Sequence, residues 1–115
     1  MKRLSARFKV WLDTSDGKGV LGDGKWTLLK AIEKKKSLTA ACEFLKISYR
    51  KAWGDIRKME KILGISLVEK HRGGFEGGKS CLTREGKELV RAYTGFHNEI
   101  EKALRKAYIK HINKL

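Results

Sequence analysis

The chain contains no proline, so no residue in it forces a break in a helix. Acidic residues are scarce: 13 Asp and Glu stand against 27 Lys and Arg, a formal net charge of +14. A balance that lopsided favours a polyanionic partner, nucleic acid ahead of an anionic membrane surface. Long hydrophobic runs are missing too. No apolar stretch approaches the roughly 20 residues that a membrane span requires. No apolar core follows the charged start Met1-Lys2-Arg3-Leu4-Ser5-Ala6-Arg7, which argues against a signal peptide. These absences predict a soluble, cytoplasmic protein without a membrane partner.

Only two cysteines occur, Cys42 and Cys81, and they lack metal-ligand spacing. His71, His97 and His111 form no cluster with them in the sequence. The expectation is two small apolar thiols in a reducing compartment and no metal site. Paired carboxylates, a nucleophile beside a base and cofactor motifs are all absent. Neither an enzyme, nor a cofactor, nor a small-molecule ligand is expected. Asp55 and Glu60 share one predicted helix, and Glu60 is expected to orient neighbouring basic residues.

What is present fits one domain of 115 residues, 41% of them apolar. Residues 6–12 alternate, with Phe8, Val10 and Leu12 on one strand face and Arg7, Lys9 and Trp11 on the other. The turn cluster Thr14 to Gly19 and a short return at Val20-Leu21 complete a predicted N-terminal hairpin over about 1–22. Asp23 is the predicted cap of a helix over about 25–35, with Leu28, Leu29 and Ile32 as its apolar stripe. A short helix over about 39–45 follows, capped by Thr39 or Ser37. Ser48 caps a third over about 49–63, ended by Gly64. In it Ala52, Ile56, Met59 and Leu63 recur at helical spacing and face the core.

The second and third helices read as a helix-turn-helix. Ala41 or Cys42 is small enough for close crossing, and Leu45, Ile47, Ala52 and Ile56 anchor the turn. The exposed front of the second helix then carries Ser48, Tyr49, Arg50, Trp53, Gly54 and Arg57. Arg50 and Arg57 suit bidentate contacts to guanine or a phosphate clamp. Ser48 and Tyr49 suit phosphates at the helix start. Lys51, Lys58 and Lys61 read as non-specific phosphate attractors, and Thr39 joins the predicted DNA contacts. Trp53 fits either a part-buried core position or an apolar contact to DNA. Gly54 costs about 1 kcal/mol relative to alanine, which a close approach to the groove or to another helix would explain.

A strand over Ile65–Glu69, a loop over His71–Lys79 and a strand over Ser80–Leu82 form the predicted wing. Its loop is Gly-rich, but no Gly-Lys-Ser/Thr opens a helix at phosphate-loop spacing. Arg72 and Lys79 are the side chains expected to touch DNA there, with Gly73 and Gly74 beside them. Thr83 caps a long last helix over about 84–112. The expected fold is therefore mainly α with a small β-sheet: a winged helix-turn-helix over about 23–83 with a long C-terminal helix.

Ser48-Tyr49-Arg50-Lys51-Ala52-Trp53, then Leu67-Val68-Glu69, Gly73-Gly74, Gly77-Gly78 and Leu82-Thr83-x-x-Gly86, resembles the DNA-binding domain of ModE-type molybdate-responsive regulators. Gly22-x-Gly24 and Ser37-Leu38-x-x-Ala41 are similar as well, and the resemblance covers roughly 20–95. More distantly, Ser48 to Glu60 and Leu82 to Gly86 resemble the LysR-type winged helix. The resemblance implies a prokaryotic, nucleoid-associated transcription factor that dimerises on a palindromic operator in double-stranded DNA. Full-length molybdate regulators carry C-terminal oxyanion-binding domains. This sequence ends at Leu115, so no molybdate site is carried over and no sensing domain is expected. Lys46 stands where the family often has Gly, and Lys79 replaces a small wing residue.

In the last helix Leu89, Tyr93, Phe96, Ile100, Ala103 and Ala107 alternate at spacings of four and three, with Leu104 and others widening the stripe. The expected role is a homodimer seam; the alternative is a helix folded back on its own domain. Two further readings of the whole remain open. One is a sequence-tolerant architectural DNA binder, which the charge favours. The other is a winged-helix protein-interaction module.

Overall fold

The computed structural model describes residues 1–71 and 79–115 of the chain. Its helices are α1 (Asp23–Lys35), α2 (Leu38–Leu45), α3 (Tyr49–Leu63) and α4 (Arg84–His111). Strands β1 (Leu12–Asp13) and β2 (Gly19–Leu21) pair antiparallel, as do β3 (Val68–His71) and β4 (Lys79–Leu82).

Hydroxyl side chains start three of the helices. Ser37 accepts from the Ala40 amide, Ser48 from Lys51 and Thr83 from Gly86, each satisfying an orphan donor of the first turn. The start of α1 differs from the expectation. Gly22 is its N-cap, and Asp23 is the first helical residue. The Asp23 carboxylate faces the Tyr93 hydroxyl at 3.0 Å instead of capping its own helix. Helices α1, α2 and α3 all end in left-handed backbone, at Lys36, Lys46 and Gly64.

The core lies where α1, α2 and α3 meet, closed by β2, by Leu67 and Leu82 of the wing and by Tyr93 of α4. The predicted N-terminal strand is mostly not a strand. Phe8, Val10 and Leu12 do turn inward while Lys9 and Trp11 stay exposed, so the alternation is real. Only Leu12 and Asp13 pair, because β2 offers three residues and the rest of the segment runs beside α4. There Phe8 stacks on His97, their rings 4.8 Å apart, and the Leu4 carbonyl accepts from Tyr108. With 28 residues, α4 is about 42 Å long at 1.5 Å per residue. It dominates the 59 Å long axis of the molecule.

The wing sits three residues further along the chain than expected at its start, and the cause is Glu60. Its carboxylate accepts from the amides of Leu67 (2.7 Å) and Val68 (3.3 Å). It therefore anchors the entry to β3 instead of orienting basic side chains. On the far side, Ser80 donates to the Lys36 carbonyl (3.0 Å) and Leu82 to Glu33 (3.3 Å), so α1 covers the edge of β4. The step into α4 is tied at the same place. Thr83 donates its amide to the Leu67 carbonyl (2.9 Å) and its hydroxyl to the Ser66 carbonyl (2.7 Å).

Gly86 fits into that joint because it has no side chain. A Cβ there would stand 2.3 Å from the Leu67 carbonyl oxygen. Gly54, by contrast, has open space around it. Gly86→Ala is expected to destabilise the domain by about 1–3 kcal/mol through overpacking. Gly54→Ala is expected to stabilise it by up to about 1 kcal/mol through helix propensity. Denaturant midpoints of the two variants check both signs; equal midpoints would contradict the packing described.

Candidate nucleic-acid interface

The turn between α2 and α3 is short and closed. Ile47 donates its amide to the Cys42 carbonyl at 3.1 Å, and Cys42 and Ala41 are buried beneath α3 as expected. Burial pushes the Cys42 thiol up from its ordinary pKa. Lys46 carries the turn with φ of +58°, the left-handed region that favours glycine.

Helix α3 divides its surface by angle. Ala52, Ile56 and Met59 are fully buried. At 3.6 residues per turn the opposite direction falls on Gly54. Arg50, Arg57, Lys58 and Lys61 surround it, and all five positions are exposed. None of those four cations is in a salt bridge among the described residues. Among the described residues no neighbouring helix approaches Gly54, so close helix packing does not explain it. Lys51 has a partner within its own helix. It lies on the same side of α3 as Lys58, two turns on, and pairs with Asp55 at 3.0 Å. Ser48 spends its acceptor oxygen on the helix cap, and Thr39 is exposed in the first turn of α2.

A residue the sequence reading passed over joins the wing to this helix. Lys70 of β3 places its ammonium 2.7 Å from the Tyr49 hydroxyl and 4.6 Å from the centre of the Trp53 ring. Arg57 stacks on Trp53 from the helix side at 5.2 Å, and Tyr49 meets Trp53 edge-on at 6.3 Å. Trp53 is thus half-buried between the core and this cationic layer. The only signal for Lys70 was its place two residues after Val68, on the inward face of β3. Lys79 is exposed at the end of β4, while Arg72, Gly73 and Gly74 lie outside the described residues.

The predicted seam on α4 splits in two. Tyr93 is 1% exposed. Its hydroxyl lies 2.9 Å from the Val10 carbonyl oxygen, and its ring is 5.0 Å from that of Trp26. It is a core residue, not an interface one, and Leu89 packs against the same core. Leu104 faces the N-terminal segment along with Tyr108. Phe96, Ala103 and Ala107 stay exposed, with Ile100 half-buried, on an adjacent face of the helix.

The expectation that no histidine joins a cysteine also fails. Antiparallel register sets Cys81 opposite Glu69, and His71 Nε2 lies 3.3 Å from Cys81 Sγ.

Residues 25–87 match the family of bacterial regulatory helix-turn-helix proteins of the lysR type. The chain belongs to that family. This is a family of regulators, not of enzymes. ModE of Azotobacter vinelandii, a molybdenum transport protein, is 36% identical over 84% of this chain and 35% of its own length. The DNA-binding transcriptional dual regulator ModE of Escherichia coli is 37% identical over 58% of this chain and 26% of its own. The chain thus spans about a third or less of these relatives. Among solved structures, the CbnR_DBD–DNA complex matches with a TM-score of 0.55 at 21% identity, over 73% of this chain and 94% of the other. ArgP from Mycobacterium tuberculosis matches at 0.54 and 21%, over 74% and 30%. These likenesses bear out the winged helix-turn-helix fold, and the resemblance to ModE-type regulators holds.

The Lys70 contact has an optical signature. Donation from the Lys70 ammonium holds the Tyr49 phenol below its ordinary pKa of 10.0. Burial, and then the Asp23 carboxylate, push Tyr93 up to about 12. In a spectrophotometric titration Tyr49 should ionise well before Tyr93. Lys70→Ala should move the Tyr49 step upward and leave that of Tyr93. Because the folded state keeps Tyr93 protonated, the stability it contributes is complete below the ordinary range and is lost as pH rises toward about 12. A Tyr49 step unmoved by Lys70→Ala would remove the wing–helix contact.

Proposed function

We propose that this chain binds duplex DNA as a homodimer and regulates transcription, with α3 in the major groove. The observation that supports this most is the free cationic face of α3, where Arg50, Arg57, Lys58 and Lys61 surround the bare backbone at Gly54. A glycine at the centre of such a face lets the helix seat deeply, and the two arginines flanking it have the forked donors that read guanine. Lys70, Tyr49 and Trp53 hold the wing in register with the helix, so that Lys79 reaches the adjoining backbone. Thr39 and Ser48 reach phosphates from the turn side. Lys51, exposed although paired with Asp55, acts with Lys58 as a non-specific attractor of phosphate.

The second copy docks, in this reading, on Phe96, Ile100, Ala103 and Ala107. That face runs beside the one already covered by the N-terminal segment, and its spacing of four and three suits an antiparallel or parallel helix pair. A dimer would set two copies of α3 about one DNA turn apart. A cytoplasmic, nucleoid-associated location follows from this reading. No described helix is long and apolar enough to cross a membrane.

Selection from a random duplex library at near-physiological salt tests the reading. An enriched inverted repeat supports it. A bound pool without enrichment would favour a sequence-tolerant architectural binder, and no bound pool would favour a protein-interaction module. On an enriched site, Arg50→Ala should cost about 1–3 kcal/mol and relax one base position. Lys58→Ala should weaken all sequences evenly and lower the salt slope by about one. Equal losses on every sequence for Arg50→Ala would sink specific readout.

Phe96→Glu tests the dimer separately. Phe96 is 45% exposed, so the charge is tolerated by the monomer. Dimerisation should weaken by about 2 kcal/mol or more if this is a central anchor. Sedimentation equilibrium would show it, and an unchanged association constant would remove α4 as the seam.

A further inference from the structure

We propose that Glu69, His71 and Cys81 form a binding site for a zinc-class transition-metal ion on the outer face of the wing. The strand geometry puts the three side chains together. Alternation turns Val68 and Lys70 toward α3, so Glu69 and His71 share the opposite face of β3. Cys81 is the direct cross-strand partner of Glu69, on that same face, and diagonal to His71. One ligand atom from each residue lies within 4.8 Å of the others.

The spacing suits a tetrahedral ion. Zinc at its usual bond lengths separates a thiolate sulfur from an imidazole nitrogen by about 3.6 Å. Here His71 Nε2 is 3.3 Å from Cys81 Sγ and 3.9 Å from Glu69 Oε2. A small rotation of the Glu69 side chain closes the triangle. Both Glu69 and His71 are more than half exposed, so an ion can enter from solvent.

The donor set selects the class of ion. Thiolate and imidazole favour zinc, cobalt or nickel over magnesium or calcium, which take oxygen ligands. Three protein ligands leave a fourth position for water. On binding, the Cys81 thiol releases its proton to solvent and the thiolate sulfur bonds the metal. Lys79 lies on the same face opposite His71, and Lys70 on the other face. Their charges oppose the cation, while the Glu69 carboxylate and the new thiolate offset them. A bound ion would tie β3 to β4 at the base of the wing and add positive charge beside Lys79. This site is independent of the α3 face and stands whether or not DNA is the partner.

The test is a cobalt(II) titration of the reduced full chain, followed by zinc competition. The expected result is one equivalent bound, with a thiolate-to-cobalt charge-transfer band and the visible bands of a tetrahedral site, both bleached by zinc. Cys81→Ser should abolish the charge-transfer band although Cys42 remains. His71→Ala should weaken binding at least roughly tenfold, no less than an outer-shell loss costs. Glu69→Gln should weaken it less. Circular dichroism confirms that each variant is folded, and the exposed His71 gives a second reading if Cys81→Ser disturbs the strand. Absence of the band in the parent chain, its survival in Cys81→Ser, or an unchanged affinity in His71→Ala would overturn the site.

Discussion

The peptide group of Leu67 holds the domain together. Its amide donates to Glu60 of α3, and its carbonyl accepts from Thr83 at the head of α4 while Gly86 packs against it. One residue thus fixes the wing to the helix before it and to the helix after it. The hydrogen bond to a buried-side carboxylate is charge-assisted and stronger than an ordinary amide bond. With Leu67 fully buried, the strand cannot slip without exposing it. The relative positions of α3, the wing and α4 all follow from this joint. Those three elements carry nearly every surface assigned a role above, Thr39 of α2 being the exception.

The charge distribution is arranged around that frame. Several of the few acids fasten structure. Glu60 holds β3, Glu33 holds β4 and Lys36, and Asp23 meets Tyr93 with His97 4.0 Å away. Asp55 engages Lys51. The outward face of α3 is left without a carboxylate. Repulsion among its cations is a cost to the free domain, moderated by solvent and salt because all of them are exposed. A polyanion would relieve the same repulsion on binding, which links the charge pattern to the proposed partner.

Much of this was legible in the chain. Ser48, Gly64 and Thr83 announce helix ends because capping is local: the side chain acts within three or four residues of itself. The apolar stripe of α3 was legible for the same reason. What was not legible depends on contacts distant in sequence. The start of β3 is set by Glu60, seven residues back, and Asp23 is drawn from its capping role by Tyr93, seventy residues on. Tyr93 belongs to a stripe whose period fits a seam and a core equally well, and periodicity cannot choose between them. His71 and Cys81 meet only once the register of the hairpin is known.

Lys51 and Lys70 show how the third dimension redistributes roles among similar residues. In sequence Lys51 sits among the recognition residues and Lys70 in a strand. In the fold Lys51 enters an ion pair, while Lys70 reaches across to Tyr49 and Trp53. The difference is one of partners: Asp55, one turn further along α3, holds Lys51, and two-residue alternation carries Lys70 onto the helix side. A lysine over aromatic rings is held in place, unlike one on an open surface, and it shields Trp53 from the solvent side. Trp53 therefore links the core to the wing. Its ring packs against the core on one side and carries Lys70 and Arg57 on the other.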